Sequence, residues 1–143
     1  MNILKTLFAV ALALMSGWHS PANAARDCPI YPYETTEVTL TGRIIVERLY
    51  RLPQYDEDPN RKILVGVPIL KLDKPISTLA GPDGPGHICV QKLQLASSIE
   101  PGLWTAKERR ATMRGYLFAQ ITAHHHTRVL LMVEDVQFLE AAP

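Results

Sequence analysis

The 143-residue chain carries fifteen Lys and Arg against fourteen Asp and Glu, so it offers no basic excess for phosphate. That excludes nucleic acid as the expected partner, because binding to a polyanion depends on clustered positive charge. With 47% apolar residues the length allows one hydrophobic core, and no internal repeat or low-complexity tract divides it.

The N-terminus reads as a secretory signal peptide over residues 1–24. Lys5 is followed by an apolar run from Leu7 to Met15 and by the small-residue ending Ala22-Asn23-Ala24. The run is too short to span a bilayer, which takes roughly twenty residues. Arg26 and Asp27 stand where a lipoprotein signal before Cys28 would need small and apolar residues. The mature chain is therefore expected to begin near Ala25, with no membrane span, in a periplasm or outside the cell. Losing Lys5 leaves its charges balanced at fourteen against fourteen.

Residues 25–37 read as a coil leader with Pro29 and Pro32, and residues 38–140 as one domain. Cys28 and Cys89 are the only cysteines, and an even count in an oxidising compartment reads as one disulfide. No C-x-x-C spacing supports a redox or metal-bound thiol pair.

Five strand-like runs follow. In residues 38–49, Val38, Leu40, Ile44 and Val46 share one face, and Gly42 allows a strong bend. Residues 63–72 change phase at Gly66-Val67-Pro68, which predicts a bulge or an edge position because proline cannot donate to a ladder. Residues 88–95 form a shorter third run. After the insertion at 97–109, which has room for one or two helical turns, residues 110–121 place Met113, Gly115, Leu117, Ala119 and Ile121 on one face. Residues 129–139 form the fifth. Trp104 in the insertion reads as a plug under the core. These elements predict an all-β domain, a small five-stranded, partly closed OB-like barrel with one short helical insertion. A β-sandwich competes, but usually needs more strands.

The ordered segments Val38-Thr39-Leu40-Thr41-Gly42, Ile69-Leu70-Lys71-Leu72-Asp73-Lys74-Pro75-Ile76, Ile88-Cys89-Val90 and Gly115-Tyr116-Leu117-Phe118 lead to His124-His125-His126-Thr127 and then Val129-Leu130-Leu131. In that order they resemble a secreted bacterial family, domain of unknown function 4431, across nearly the whole mature chain. The resemblance implies the fold and a bacterial, secreted location; it assigns no chemistry.

Two connections carry chemically active side chains. The histidine run can be read as turn architecture, with the imidazoles and Thr127 bonding backbone. It can also be read as a metal site, since His124 and His126 share a face of an extended chain and neutral imidazole suits Zn²⁺ or Cu²⁺. His87, the only other histidine of the mature chain, would be the third ligand, with Asp83 and Glu134 as carboxylate candidates. The connection 50–60 holds Tyr50, Tyr55 and the acidic run Asp56-Glu57-Asp58, side chains suited to a protein interface or to a solvated loop. In an OB barrel the first-to-second and fourth-to-fifth connections flank the binding face. Tyr50, Tyr55, Asp56, Asp58, His125 and Thr127 are thus the expected binding residues for a protein or cell-envelope component. An inhibitor or immunity-type protein is one concrete form, and a small-ligand or metal-binding protein is the alternative. No H-E-x-x-H, phosphate-loop, dinucleotide or G-x-S-x-G pattern points to an enzyme.

Overall fold

Alternation of apolar and polar side chains makes residue 37 onward a strand with one buried face: Val38, Leu40 and Ile44 are buried while Thr39 and Arg43 are exposed. A computed structural model describes residues 28–51, 53, 57–96 and 102–140 of the chain. Its elements are β1 (Ile30–Tyr31), β2 (Glu37–Arg51), β3 (Ile63–Thr78), β4 (His87–Ala96), the single helical turn α1 (Gly102–Thr105), β5 (Arg110–Ala119) and β6 (Val129–Phe138). The signal-peptide segment, Tyr55 and Asp56 lie outside the described residues, as does the side chain of Trp104.

The strands run in the order β1-β3-β2-β5-β6-β4, and a further β3–β4 pairing closes the last five into a ring. The expected OB-like barrel is what forms, and ring closure sets it apart from a sandwich. Closure is narrow at one seam: among the described residues β4 and β6 pair in parallel through Gln94–Leu130, Leu95–Leu131 and Ala96–Met132. Leu70, Leu93, Met113, Leu117 and Leu131 fill the interior, and Leu103 and Ala106 of the α1 segment join the same cluster.

Two expectations need correction, and a third is met in one of its two forms. The leader is not all coil, because Ile30–Tyr31 adds a sixth strand parallel to Ser77–Thr78 at the end of β3. Ile121 does not continue the buried face of β5; it lies past the strand end and is exposed. No bulge occurs at Gly66-Val67-Pro68, where the β2–β3 register runs unbroken from Gly42–Leu72 to Arg51–Ile63. Pro68 does take an edge position, since β3 first meets β4 at Ile69.

The apparent phase change has another cause. Val67, Ile69 and Leu70 are all buried, yet only Leu70 belongs to the interior cluster. Ile69 is in register with Gln94, Gln94 with Leu130, and Leu130 with Phe118, so these side chains share the outer face of the barrel. That outer row is itself covered, and a strand buried on both faces reads as a continuous apolar run.

Two glycines mark close crossings. A Cβ on Gly42 would stand 2.3 Å from the Lys71 carbonyl oxygen, and one on Gly115 only 1.9 Å from that of Met132. Gly115 sits where the β5–β6 register shifts, between Arg114 and Gly115. The expected disulfide joins Cys28 to Cys89, 61 residues apart, and fastens the leader to β4. Tyr33 supports the same end: its hydroxyl, 2.9 Å from Thr78 Oγ1, donates to the Pro85 carbonyl. The Gly/Pro segment between β3 and β4 is a tight hairpin closed by Gly81 and Gly84, which bond each other through N–H and carbonyl at 2.9 and 3.2 Å.

Gly42→Ala should therefore destabilise the barrel by about 1–3 kcal/mol, since backbone atoms would have to retreat. An unchanged urea midpoint would show that β2 and β3 do not cross as closely as described. Replacing both cysteines by Ser should cost roughly 4 kcal/mol on the loop-entropy estimate, read as the shift in denaturant midpoint relative to the oxidised protein.

Candidate functional site

The cover on the outer face is the connection between β5 and β6. Gln94 projects outward from β4 between Ile69 and Leu130 and meets that connection with its whole amide. Its Oε1 accepts from the His126 N–H at 2.6 Å, and its Nε2 donates to the His124 carbonyl at 3.3 Å. The Gln94 backbone N–H donates to Thr127 Oγ1 at 2.9 Å, and that hydroxyl donates to the Val129 carbonyl at 2.6 Å. Such a set holds the histidine run in one backbone conformation, because each polar group satisfies another that would otherwise be stranded.

His125 is part of the same architecture. Its Nδ1 accepts from the Ile121 N–H at 3.2 Å, its own N–H donates to the Thr122 carbonyl at 3.1 Å, and its ring meets Phe118 edge-on at 5.6 Å. Burial, then the neighbouring His124 and His126 charges, lowers its pKa below the ordinary 6.5. The turn reading of His125 and Thr127 thus describes the bonds these side chains make.

Beside the clamped loop lies a cleft of about 440 Å³. Its walls come from the start of β3 at Val65–Pro68, the end of β4 at Gln94–Ala96, His124–His126, and Arg51 at the end of β2. The guanidinium of Arg51 makes two 2.7 Å bonds to the Glu57 carboxylate, closing the base of the β2–β3 connection. An ion pair with this planar fit contributes roughly 1 kcal/mol and fixes the direction of both groups. The cleft therefore offers an apolar floor, an oriented charge pair and imidazoles along one rim. Of the first expected connection only Arg51, the last residue of β2, lines this cleft among the described residues, opposite the histidines of the second.

The predicted residues fare unevenly. His124, His125 and His126 line the cleft, and the Thr127 hydroxyl is committed to the loop. Tyr50 is exposed and pairs with Leu64; one residue before Arg51 on an extended strand, it faces the other way. Asp58 shapes its own turn, with Oδ1 accepting from the Asn60 N–H at 2.9 Å. The three-histidine metal site is not assembled. His87 begins β4 and Gln94 lies seven residues along it, roughly 23 Å at 3.3 Å per residue. Asp83 sits in the hairpin at the His87 end and Glu134 stands exposed on β6. Among the described residues no group of three His, Cys, Asp or Glu could hold a metal. Sequence reasoning missed Arg51 and Gln94. Gln94 falls at a polar position within an alternating strand, but its partners lie 30 to 33 residues away.

Two measurements check the clamp. Gln94→Ala leaves the His126 N–H without its acceptor and should cost about 1–3 kcal/mol, with loss of amide protection across residues 124–127; unchanged protection would remove Gln94 from its role. A base whose folded pKa is lowered contributes nothing to pH dependence above 6.5, and as pH falls through 6.5 the unfolded chain takes up the proton first. Stability of the loop should therefore decline from pH 6.5 downward, and the Ile121 amide protection factor should fall with it. A protection factor constant from pH 7.5 to 5 would contradict this.

A comparison with curated proteins found no match. A family model described as "Domain of unknown function (DUF4431)" matches residues 92–137. The matched span is narrower than the resemblance drawn across the mature chain, and it contains Gln94 and the histidine run. From Lys92 in β4 through β5 to Gln137 in β6, the chain matches the DUF4431 family that its sequence resembles.

Proposed function

We propose that this protein is a secreted, periplasmic or extracellular binding module that takes a protein or cell-envelope component in the cleft between Arg51 and the histidine run. The observation that carries the reading is the clamp: Gln94 and Thr127 spend four hydrogen bonds holding an exposed histidine loop open beside an apolar floor. A loop ordered in advance loses less entropy when a partner seats on it, so more of the contact energy remains as affinity. The oriented Arg51–Glu57 pair adds direction to the recognition. The signal-peptide pattern at residues 1–24, the Cys28–Cys89 disulfide and the balanced charge of the mature chain support export and argue for a neutral partner surface rather than a polyanion. An inhibitor or immunity-type role fits this size and compartment.

His124→Glu with His126→Glu changes the rim while leaving the backbone bonds to Gln94 in place. The double variant should keep its melting temperature and lose capture of the envelope partner recovered by the wild-type protein. Equal recovery by both would move binding away from the cleft. Export is checked separately, by intact mass of the native protein: a chain beginning at Ala25 with an oxidised cysteine pair is expected, and one retaining Met1 would refute it.

A further inference from the structure

Register across the barrel wall places four cations in one row. Arg110 of β5 stands opposite Arg43 of β2, Arg43 opposite Lys71 of β3, and Lys71 opposite Lys92 of β4. Residues directly opposite in a sheet share a face, and all four are exposed while Ile44, Leu70, Leu93 and Ala111 beside them are buried. The row therefore crosses four strands on the outside of the barrel, roughly 14 Å at about 4.8 Å per strand. The near-balanced charge of the chain does not foretell it, because each strand contributes one cation. We propose that this row is a second binding surface, which takes a linear acidic polysaccharide.

Three observations support that occupant. First, like charges directly opposite in a sheet destabilise it, and here three such pairs follow one another. Asp73 offsets Arg110, and Glu47 offsets Lys92 at 2.5 Å. Lys71 makes no ion pair among the described residues, and the Arg43 guanidinium donates to the uncharged Glu108 carbonyl at 3.1 Å. Four cations less two carboxylates leave two positive charges without a counter-charge on the row. An anionic chain lying along it would supply what the sheet lacks. Second, Arg110 also lines a groove of about 410 Å³ with Tyr31, Thr39, Thr41, Asp73 and Lys74, so row and groove are continuous. The groove opens where β2 parts from β3 beyond Gly42–Leu72. The Thr41 and Thr112 hydroxyls, 2.9 Å apart, form the next row on the same face. Cations fit the carboxylates of an acidic sugar chain, and hydroxyls exchange hydrogen bonds with its ring hydroxyls. Third, neither row shows an aromatic ring or an exposed large apolar side chain. Protein interfaces gather aromatic side chains at their centre and are depleted in lysine, and single-stranded nucleic acids stack on aromatic rings. A hydrophilic polyanion needs neither. The row uses no residue of the cleft at the histidine run.

The test titrates an oligogalacturonate into the oxidised mature protein at low ionic strength, followed by calorimetry. Saturable binding is expected, and it should vanish when the carboxylates of the same sugar chain are methyl-esterified. This arm needs no protein variant. Lys71→Glu sets an anion between Arg43 and Lys92. It should weaken binding about tenfold or more while the melting temperature holds or rises, because like-charge pairs become opposite ones. A purely structural lysine would not divide the two readouts in this way. Arg43→Gln should weaken binding by a smaller factor, and His124→Ala with His126→Ala should leave it unchanged. No binding of the oligogalacturonate, equal binding of its methyl ester, or wild-type affinity in either the Lys71→Glu or the Arg43→Gln protein would each overturn the proposal. So would equal affinity for a single-stranded oligonucleotide of the same charge, which would reduce the row to a general polyanion contact. Loss of binding in the His124→Ala, His126→Ala protein would assign the sugar chain to the cleft and overturn this surface.

Discussion

Gln94 sits at the meeting point of three demands. It pairs with Ile69 across one seam of the barrel and with Leu130 across the other, so its backbone is part of ring closure. Its side-chain amide reaches outward and bonds the histidine run, and its N–H is held by Thr127. Ring closure, loop docking and the shape of the cleft are therefore one constraint. A strand that shifted here by one residue would turn its whole pattern over, placing an apolar side chain under the loop and an amide in the core.

The outer face explains why the loop can be both ordered and chemically available. Ile69, Leu130 and Phe118 give it apolar support, and the His125 ring packs on Phe118. Neutral His125 is required for that arrangement, because its Nδ1 accepts a backbone N–H. Protonation would add a charge in a partly buried place and replace an acceptor by a donor. The same three-residue run thus divides its labour: the central ring binds inward, while His124 and His126 remain along the rim.

Sequence patterning was informative wherever one residue's environment depended on its near neighbours. Val38, Leu40 and Ile44, and likewise Met113, Leu117 and Ala119, alternate as buried strand faces do, and both groups fill the barrel. Gly42 was legible as a special position in its strand, and the structure gives the reason as the close approach of the Lys71 backbone. Pattern reading went astray where burial came from outside the ladder. The consecutive apolar residues 67–70 looked like a broken strand, although Leu70 points into the barrel and Val67 and Ile69 are buried on its outer face. His87 and His124 looked like co-ligands because only their chemistry, and not the length of β4, was weighed.

Composition and local spacing alone determined an all-β, OB-like chain with a disulfide between its only two cysteines, and marked the two connections worth attention. Those properties follow from short-range sterics, side-chain alternation and redox chemistry. Tertiary structure decided which residues meet. Arg51 lines the same cleft as the histidine run and Gln94 clamps that run, because barrel closure joins positions far apart in the chain through a seam of three residue pairs among the described residues. Register at such a seam is set by the packing of the whole core, which no local stretch of sequence contains.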